Sequence, residues 1–184
     1  EPSYLLGLLR TAAGYERRPQ QEYLDYFGLS AEVWKGSTAM SLGNVFGNAT
    51  ALLLAPPSGP GYPGGELKAR THFVNCHGGP ASPEFYGQRG SSYPVALTTS
   101  DTEGRITEGA VAAVECCYGA ELYDSVTLAI KMPICQSYLK QGAYAYVLDP
   151  TTTPWCMAYA FDDEPVALWK AGEPCPPRVA EHIA

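Results

Sequence analysis

The chain has 184 residues, of which 46% are hydrophobic and 17% are charged, and its formal net charge is −7 at neutral pH. This length fits one domain with a sizeable core, and the apolar content excludes a disordered chain. An acidic balance without a basic stripe disfavours nucleic-acid binding, and no apolar run approaches the roughly 18 residues that a membrane span needs. We therefore expect neither a nucleic acid nor a membrane as partner. No basic-then-apolar secretion signal is visible, and the sequence indicates neither compartment nor oligomeric state.

The N-terminal part, residues 1–54, shows helical spacing of apolar residues over 19–36, which predicts one or two short helices. Ser30 is the expected N-cap and Gly36 the expected stop. Residues 41–55 are ambiguous between helix and strand. The segment 55–65 contains too many Pro and Gly residues to form a helix or a strand. It is therefore predicted to be a loop within a single domain, 1–184.

After this loop the pattern changes to strands that alternate with helical segments. Strands are predicted at 70–76, 93–99, 110–117 and 144–149, and helices at 100–109 and 132–143. This alternation indicates an α/β sandwich with a largely parallel sheet flanked by helices, and a core that covers 66–149. The tail, 150–184, is rich in Pro and is expected to be irregular.

The chain has six cysteines, at positions 76, 116, 117, 135, 156 and 175. They are too sparse for a disulfide scaffold, so Cys135, Cys156 and Cys175 are expected to be buried free thiols. The chain has no CxxC pair, and the adjacent Cys76 and His77 would point apart on a strand. These features predict no metal site.

Two of the predicted strands end in reactive side chains. One ends at His77, which two glycines follow, and the other ends at Cys116 and Cys117, which Tyr118 and Gly119 follow. Sites in open parallel sheets lie outside the carboxyl ends of the strands. A thiol and an imidazole at one such edge form a nucleophile and proton-transfer pair, and glycines leave room for substrate and for an oxyanion.

These blocks, FVNCHGG (73–79) and VAAVECCYGA (111–120), resemble the two signatures of clan CD cysteine peptidases. That group contains caspases, legumains, clostripain and gingipains, and the resemblance covers roughly residues 67–148. It implies a caspase–hemoglobinase fold and a cysteine endopeptidase that needs no metal cofactor and acts on polypeptides. It also implies a dyad of His77 and Cys117, with the oxyanion held by the backbone N–H groups of Gly78 and Cys117. Cys117 matches better than Cys116 because it begins the C-x-G step that caspases have.

Relatives in this clan often require one residue type before the scissile bond. Asp101 and Asp124 lie near the expected edge, and a carboxylate there would favour Arg or Lys. Each of the two also has an ordinary explanation, as an N-cap and as a surface charge. His72 is expected to be a structural histidine, and His182 to be solvated.

Two other interpretations stay open. In the first, residues 115–119 form an altered nucleophile elbow of a cysteine α/β-hydrolase, with Asp162 and His182 completing the triad. Glu115 in place of the first elbow glycine is unfavourable for that strained turn. In the second, the fold is a catalytically weak or inactive caspase-like scaffold or binding domain.

Overall fold

The structure, a computed structural model, describes residues 19–61, 66–143, 145–148, 156–159, 167–170, 174, 176 and 177. The chain divides into two units, Glu1–Asp149 and Pro150–Ala184. Across these described ranges, no helix is long and apolar enough to cross a lipid bilayer.

Ten strands and three α-helices are described. The strands are β1 (Tyr26–Ala31), β2 (Leu52–Ala55), β3 (Thr71–Asn75), β4 (His77–Gly78), β5 (Glu84–Tyr86), β6 (Val95–Thr98), β7 (Val111–Val114), β8 (Ala145–Leu148), β9 (Cys156–Tyr159) and β10 (Ala167–Lys170). The helices are α1 (Lys35–Phe46), α2 (Thr99–Thr102) and α3 (Ile134–Lys140). Short 3-10 turns cover Gln20–Tyr23, Glu32–Trp34 and Glu66–Lys68.

A parallel sheet with the strand order β2-β1-β3-β7-β8 forms the centre of the first unit. Its core contains Phe27 and Leu29 of β1, Val74 of β3, and Ala112 and Val114 of β7. Burial alternates along β3 and β7, whereas every residue of β1 after Tyr26 is buried. A smaller antiparallel sheet, β4-β5-β6, lies between β3 and β7 in the sequence. The predicted α/β class with a largely parallel sheet is therefore confirmed. In the second unit, β9 and β10 form an antiparallel pair, whereas the sequence predicts an irregular tail there.

Most of the elements predicted after residue 66 are confirmed, with shorter bounds. The predicted strands at 70–76, 110–117 and 144–149 correspond to β3, β7 and β8, and the two predicted helices correspond to α2 and α3. The strand predicted at 93–99 is present as β6, although it belongs to the antiparallel sheet. The ambiguous segment 41–55 contains both elements, because Gly47, with φ 77°, ends α1 before β2 begins.

The predicted helices at 19–36 are wrong over most of their length. Residues 26–31 form β1, which pairs with β2 on one side and with β3 on the other, so sheet pairing overrides the helical spacing. Ser30 is fully buried in this strand and caps no helix, and Gly36 lies inside the first turn of α1. A Cβ at Gly28 would lie 3.0 Å from Leu42 Cδ1, so α1 packs closely over the strand at this point.

His72 is fully buried within β3 and is the structural histidine that the sequence predicts. Its Nε2 donates a hydrogen bond to the Ala69 carbonyl (2.9 Å), and its Nδ1 accepts one from the Tyr138 hydroxyl (2.6 Å). Burial lowers the pKa of His72 from 6.5 to about 4, since a charged imidazolium would lose its solvation there.

Acidification from pH 6.5 to pH 4 should therefore destabilise the protein through His72. His72 binds a proton in this range in the unfolded chain but not in the folded chain. Its contribution to the free energy of unfolding is therefore fully present above pH 6.5 and is lost as the pH falls toward 4. The loss from this group is on the order of 3 kcal/mol. Denaturant unfolding at several pH values measures this loss, and His72→Gln should flatten the dependence of the unfolding free energy on pH. If the free energy of unfolding changed with pH equally in His72→Gln and in the wild type, this role of His72 would be contradicted.

Candidate active site

The two blocks that carry His77 and Cys117 meet at the carboxyl edge of the parallel sheet. Their strands, β3 and β7, are hydrogen-bonded neighbours, with Val74 opposite Val114. The Glu115 N–H donates to the Val74 carbonyl over 2.7 Å, which continues the pairing beyond the end of β7. Since the two chain segments leave the sheet side by side, the expectation that they share one edge is confirmed.

Gly78 lies in direct contact with the backbone of Cys117. A Cβ built on Gly78 would be 1.7 Å from the Cys117 carbonyl oxygen and 2.9 Å from its carbonyl carbon. Any side chain at position 78 would displace this turn, so only glycine allows the approach. Across the part of the chain that the structure describes, the Cys117 N–H has no hydrogen-bond acceptor, which leaves it available to an oxyanion.

A tight turn presents Cys117 and hides Cys116. The Gly119 N–H donates to the Cys116 carbonyl over 3.0 Å, and Tyr118 between them adopts a left-handed conformation with φ 57°. Cys117 is exposed, whereas the Cys116 side chain points inward and is 5% exposed. Burial, followed by the neighbouring thiol of Cys76, raises the pKa of Cys116 well above its ordinary value. The two adjacent thiols therefore differ strongly in accessibility.

The imidazole of His77 is half-buried among three residues from two segments. Its ring centroid lies 4.4 Å from that of Trp34 and 5.1 Å from that of Tyr93, which meets it edge-on. Its Nε2 is 2.6 Å from Gln88 Oε1. In the described portion of the chain, His77 makes no hydrogen bond to Cys117.

A buried chain of hydrogen bonds fixes α1, which begins directly after Trp34. Asn75 Nδ2 donates to Thr38 Oγ1 (3.1 Å), Thr38 Oγ1 donates to Ser30 Oγ (2.8 Å), and Ser30 Oγ donates to the Ala31 carbonyl (2.9 Å). This chain joins α1 to both β1 and β3. Trp34 is thereby held close to the strand that His77 follows.

Glu121 joins the loop after His77 to the loop after Cys117. Its Oε2 accepts a hydrogen bond from the Ala81 N–H over 2.6 Å, and its carbonyl accepts a weaker one from the Cys135 thiol at 3.5 Å. A charged acceptor makes the first of these bonds stronger than a neutral pair. The spacing between the two loops is therefore fixed from both sides.

The two carboxylates considered for a specificity pocket both accept hydrogen bonds from other parts of the chain or from their own turn. Asp101 is 8% exposed and forms a capping box with Thr98, while its Oδ1 accepts from the Gly61 N–H. Asp124 is exposed and accepts hydrogen bonds from Val126 and Thr127, of which the Thr127 hydroxyl most strongly lowers the pKa of Asp124. Neither carboxylate is seen in contact with His77 or Cys117.

The remaining chemistry-bearing residues fall into two groups. Cys135 is a buried free thiol as expected, and burial raises its pKa to about 11. Asp162, Cys175 and His182, and the side chain of Cys156, lie outside what the structure describes. In the described ranges, no cluster of three or more His, Cys, Asp or Glu side chains is arranged to hold a metal ion.

An open depression of about 670 Å³ lies at the opposite edge of the sheet. Charged residues line it, among them Glu22, Asp25, Lys68 and Arg70, and Arg70 pairs with Glu22 over 2.8 Å. The residues that line it include no cysteine and no histidine. We therefore place the candidate site at the carboxyl edge, where a nucleophile and a proton carrier are available.

Sequence reasoning missed Trp34, Gln88 and Tyr93, which surround His77. Trp34 was assigned to a helix, and Tyr93 was assigned to the start of a strand. The signal for Gln88 was weak: Gly87 and Gly90 flank it, as is typical of a tight hairpin. Nothing in the sequence alone indicates that this hairpin folds back onto His77.

Alkylation should distinguish Cys117 from every other described thiol. Brief treatment with iodoacetamide should modify Cys117 far faster than Cys116, because Cys117 is exposed whereas Cys116 is buried and its pKa is raised. Peptide mapping by mass spectrometry measures the two rates, and Cys117→Ala is the control. Faster labelling of Cys116 would reverse the assignment.

The chain was compared with protein-family models, with curated proteins and with solved structures, and none of the three comparisons gives a match.

Proposed function

We propose that the protein is a cysteine endopeptidase of the clan CD type, with a caspase–hemoglobinase-like fold. Three features support this fold: a parallel sheet, a His-Gly step that follows β3, and a cysteine that follows the neighbouring strand β7. They agree with the order of the two signature blocks in the sequence.

The close contact between Gly78 and Cys117 is the observation that carries the proposal. Gly78 and Cys117 are 39 positions apart in the chain, yet a Cβ on Gly78 would overlap the Cys117 carbonyl at 1.7 Å. The contact brings the backbones of these two residues together at the sheet edge, and the Cys117 side chain is exposed there. In this proposal their backbone N–H groups serve as the oxyanion donors. Such a pair of donors next to a nucleophile is what acyl transfer requires.

The reaction proceeds through a thioester. The Cys117 thiolate attacks the carbonyl carbon of the peptide bond, and the N–H groups of Gly78 and Cys117 stabilise the resulting oxyanion. The C–N bond breaks, and the amine leaves with a proton from His77. His77 then removes a proton from water, which attacks the thioester, releases the carboxylic acid and regenerates the Cys117 thiolate beside a protonated His77. No metal participates in these steps.

The mechanism does not require a hydrogen bond between His77 and Cys117 before substrate binds. Catalytic hydrogen bonds are often long before substrate binds and shorten only in the reacting complex. In this mechanism His77 protonates the leaving amine of the substrate, so the two side chains act from either side of the scissile bond. A direct bond between them is not needed before substrate arrives.

Replacing His77 should abolish most of the turnover. His77→Ala is expected to lower kcat on a fluorogenic peptide library by about 10²–10⁴-fold, the contribution of a positioned proton-transfer group. Circular dichroism and the unfolding midpoint serve as folding controls, since His77 is only half-buried.

His182→Ala is the matched control, because the cysteine α/β-hydrolase alternative requires His182 and the peptidase does not. Loss of activity in His182→Ala, with activity retained in His77→Ala, would favour that hydrolase. Absence of cleavage of any library member by the wild type would favour the scaffold alternative.

The same library reports which residue is preferred before the scissile bond, and we expect Arg or Lys. Asp101→Asn or Asp124→Asn should weaken that preference. A preference for Asp would contradict this expectation.

A further inference from the structure

Gln88 is a hydrogen-bond partner of the His77 ring. His77 Nε2 is 2.6 Å from Gln88 Oε1, a distance typical of a strong hydrogen bond. An imidazole nitrogen can donate or accept, and the amide group of glutamine can do either, so this distance alone leaves two assignments open. The other contacts of Gln88 decide between them.

The amide of Gln88 is oriented by an acceptor that cannot donate. Gln88 Nε2 lies 2.8 Å from the Gly90 carbonyl, and 3.2 Å from the Tyr93 hydroxyl. Rotating the amide by 180° would place two carbonyl oxygens against each other at Gly90, which is repulsive. Oε1 must therefore face His77. His77 then donates from Nε2, and in the neutral ring Nδ1 keeps the lone pair.

The backbone around Gln88 is anchored to the end of β2. The Gln88 N–H donates to the Ala55 carbonyl over 3.0 Å, and a Cβ on Gly87 would lie 2.0 Å from that same oxygen. Arg89 and Ser92 exchange two hydrogen bonds of 3.1 Å across the hairpin. Gln88 thus presents its side chain from a fixed position.

A second link joins this hairpin to the segment that carries Trp34. The Arg89 guanidinium forms an ion pair with Glu32, two residues before Trp34. Trp34 and Tyr93 both contact the His77 ring. The ring plane and the proton position of His77 are therefore set by groups from the same two neighbouring segments.

We propose that Gln88 is a positioning residue that holds His77 as the Nε2–H tautomer, so that Nδ1 is the nitrogen that exchanges protons during catalysis. This inference rests on the proposed peptidase function for its catalytic meaning, although the tautomer itself does not. A neutral amide suits this role, because it orients the ring without adding a charge that would favour the imidazolium form. Gln88 acts through His77 and needs no contact with substrate.

The tautomer can be measured directly in the full chain by long-range ¹H–¹⁵N NMR of the imidazole groups, with His77→Gln used to assign the signal. At a pH where the His77 ring is neutral, we expect its proton on Nε2. Gln88→Ala should produce a mixture of tautomers. An Nδ1–H tautomer in the wild type, or an unchanged spectrum in Gln88→Ala, would overturn the proposal whether or not the protein cleaves peptides.

Kinetics provide the second readout. Gln88→Glu places a carboxylate opposite Nε2 and favours the imidazolium that protonates the leaving amine, so the alkaline limb of the pH profile of kcat/KM should move up by about 1 pH unit. Gln88→Ala should lower kcat/KM by about 10–100-fold, the loss found when orienting partners of histidines are removed. Gln20→Glu, the same change at an exposed residue outside the site, should leave the profile in place. If the pH profile of kcat/KM stayed in place in Gln88→Glu, the role of Gln88 would be contradicted. A protein that has the expected His77 tautomer but no peptidase activity would contradict only the proposed function.

Discussion

The direct pairing of β3 with β7 is the constraint on which the candidate site depends. Parallel neighbours end at the same edge of a sheet, so the residues that follow them emerge together. Gly78 then lies against the Cys117 backbone at a distance that no side chain would tolerate. If β3 and β7 were separated by another strand, His77 and Cys117 would be too far apart to act on one bond.

The smaller sheet extends this edge into a site. Because β4 consists of His77 and Gly78 themselves, the histidine belongs to a strand that is hydrogen-bonded to β5 and is not on a free loop. The hairpin between β5 and β6 returns Gln88 and Tyr93 to the His77 ring, and Glu121 ties the loop after Gly79 to the loop after Cys117. Rigid neighbours of this kind maintain the geometry that proton transfer needs.

The sequence predicted the parts of the site that lie at strand ends and missed the parts that depend on loop packing. Apolar strands followed by His-Gly and by Cys-x-Gly are local patterns, and topology then brings them together, so His77, Gly78 and Cys117 could be named in advance. β1 was mistaken for helix because its apolar residues also fit helical spacing, and its pairing on both sides is a non-local fact. Gln88 could not be found because its role depends on a hairpin folding back over 11 residues to reach His77.

A crystal structure of the full chain with a peptidyl aldehyde tests the central claim most directly, since an aldehyde forms a reversible tetrahedral adduct with a catalytic thiol. The peptide is chosen from the residue that the library prefers before the scissile bond. The account predicts a bond from Cys117 Sγ to the aldehyde carbon, with the adduct oxygen about 3 Å from the backbone nitrogens of Gly78 and Cys117. An adduct on another cysteine, or an oxygen directed away from both N–H groups, would contradict it.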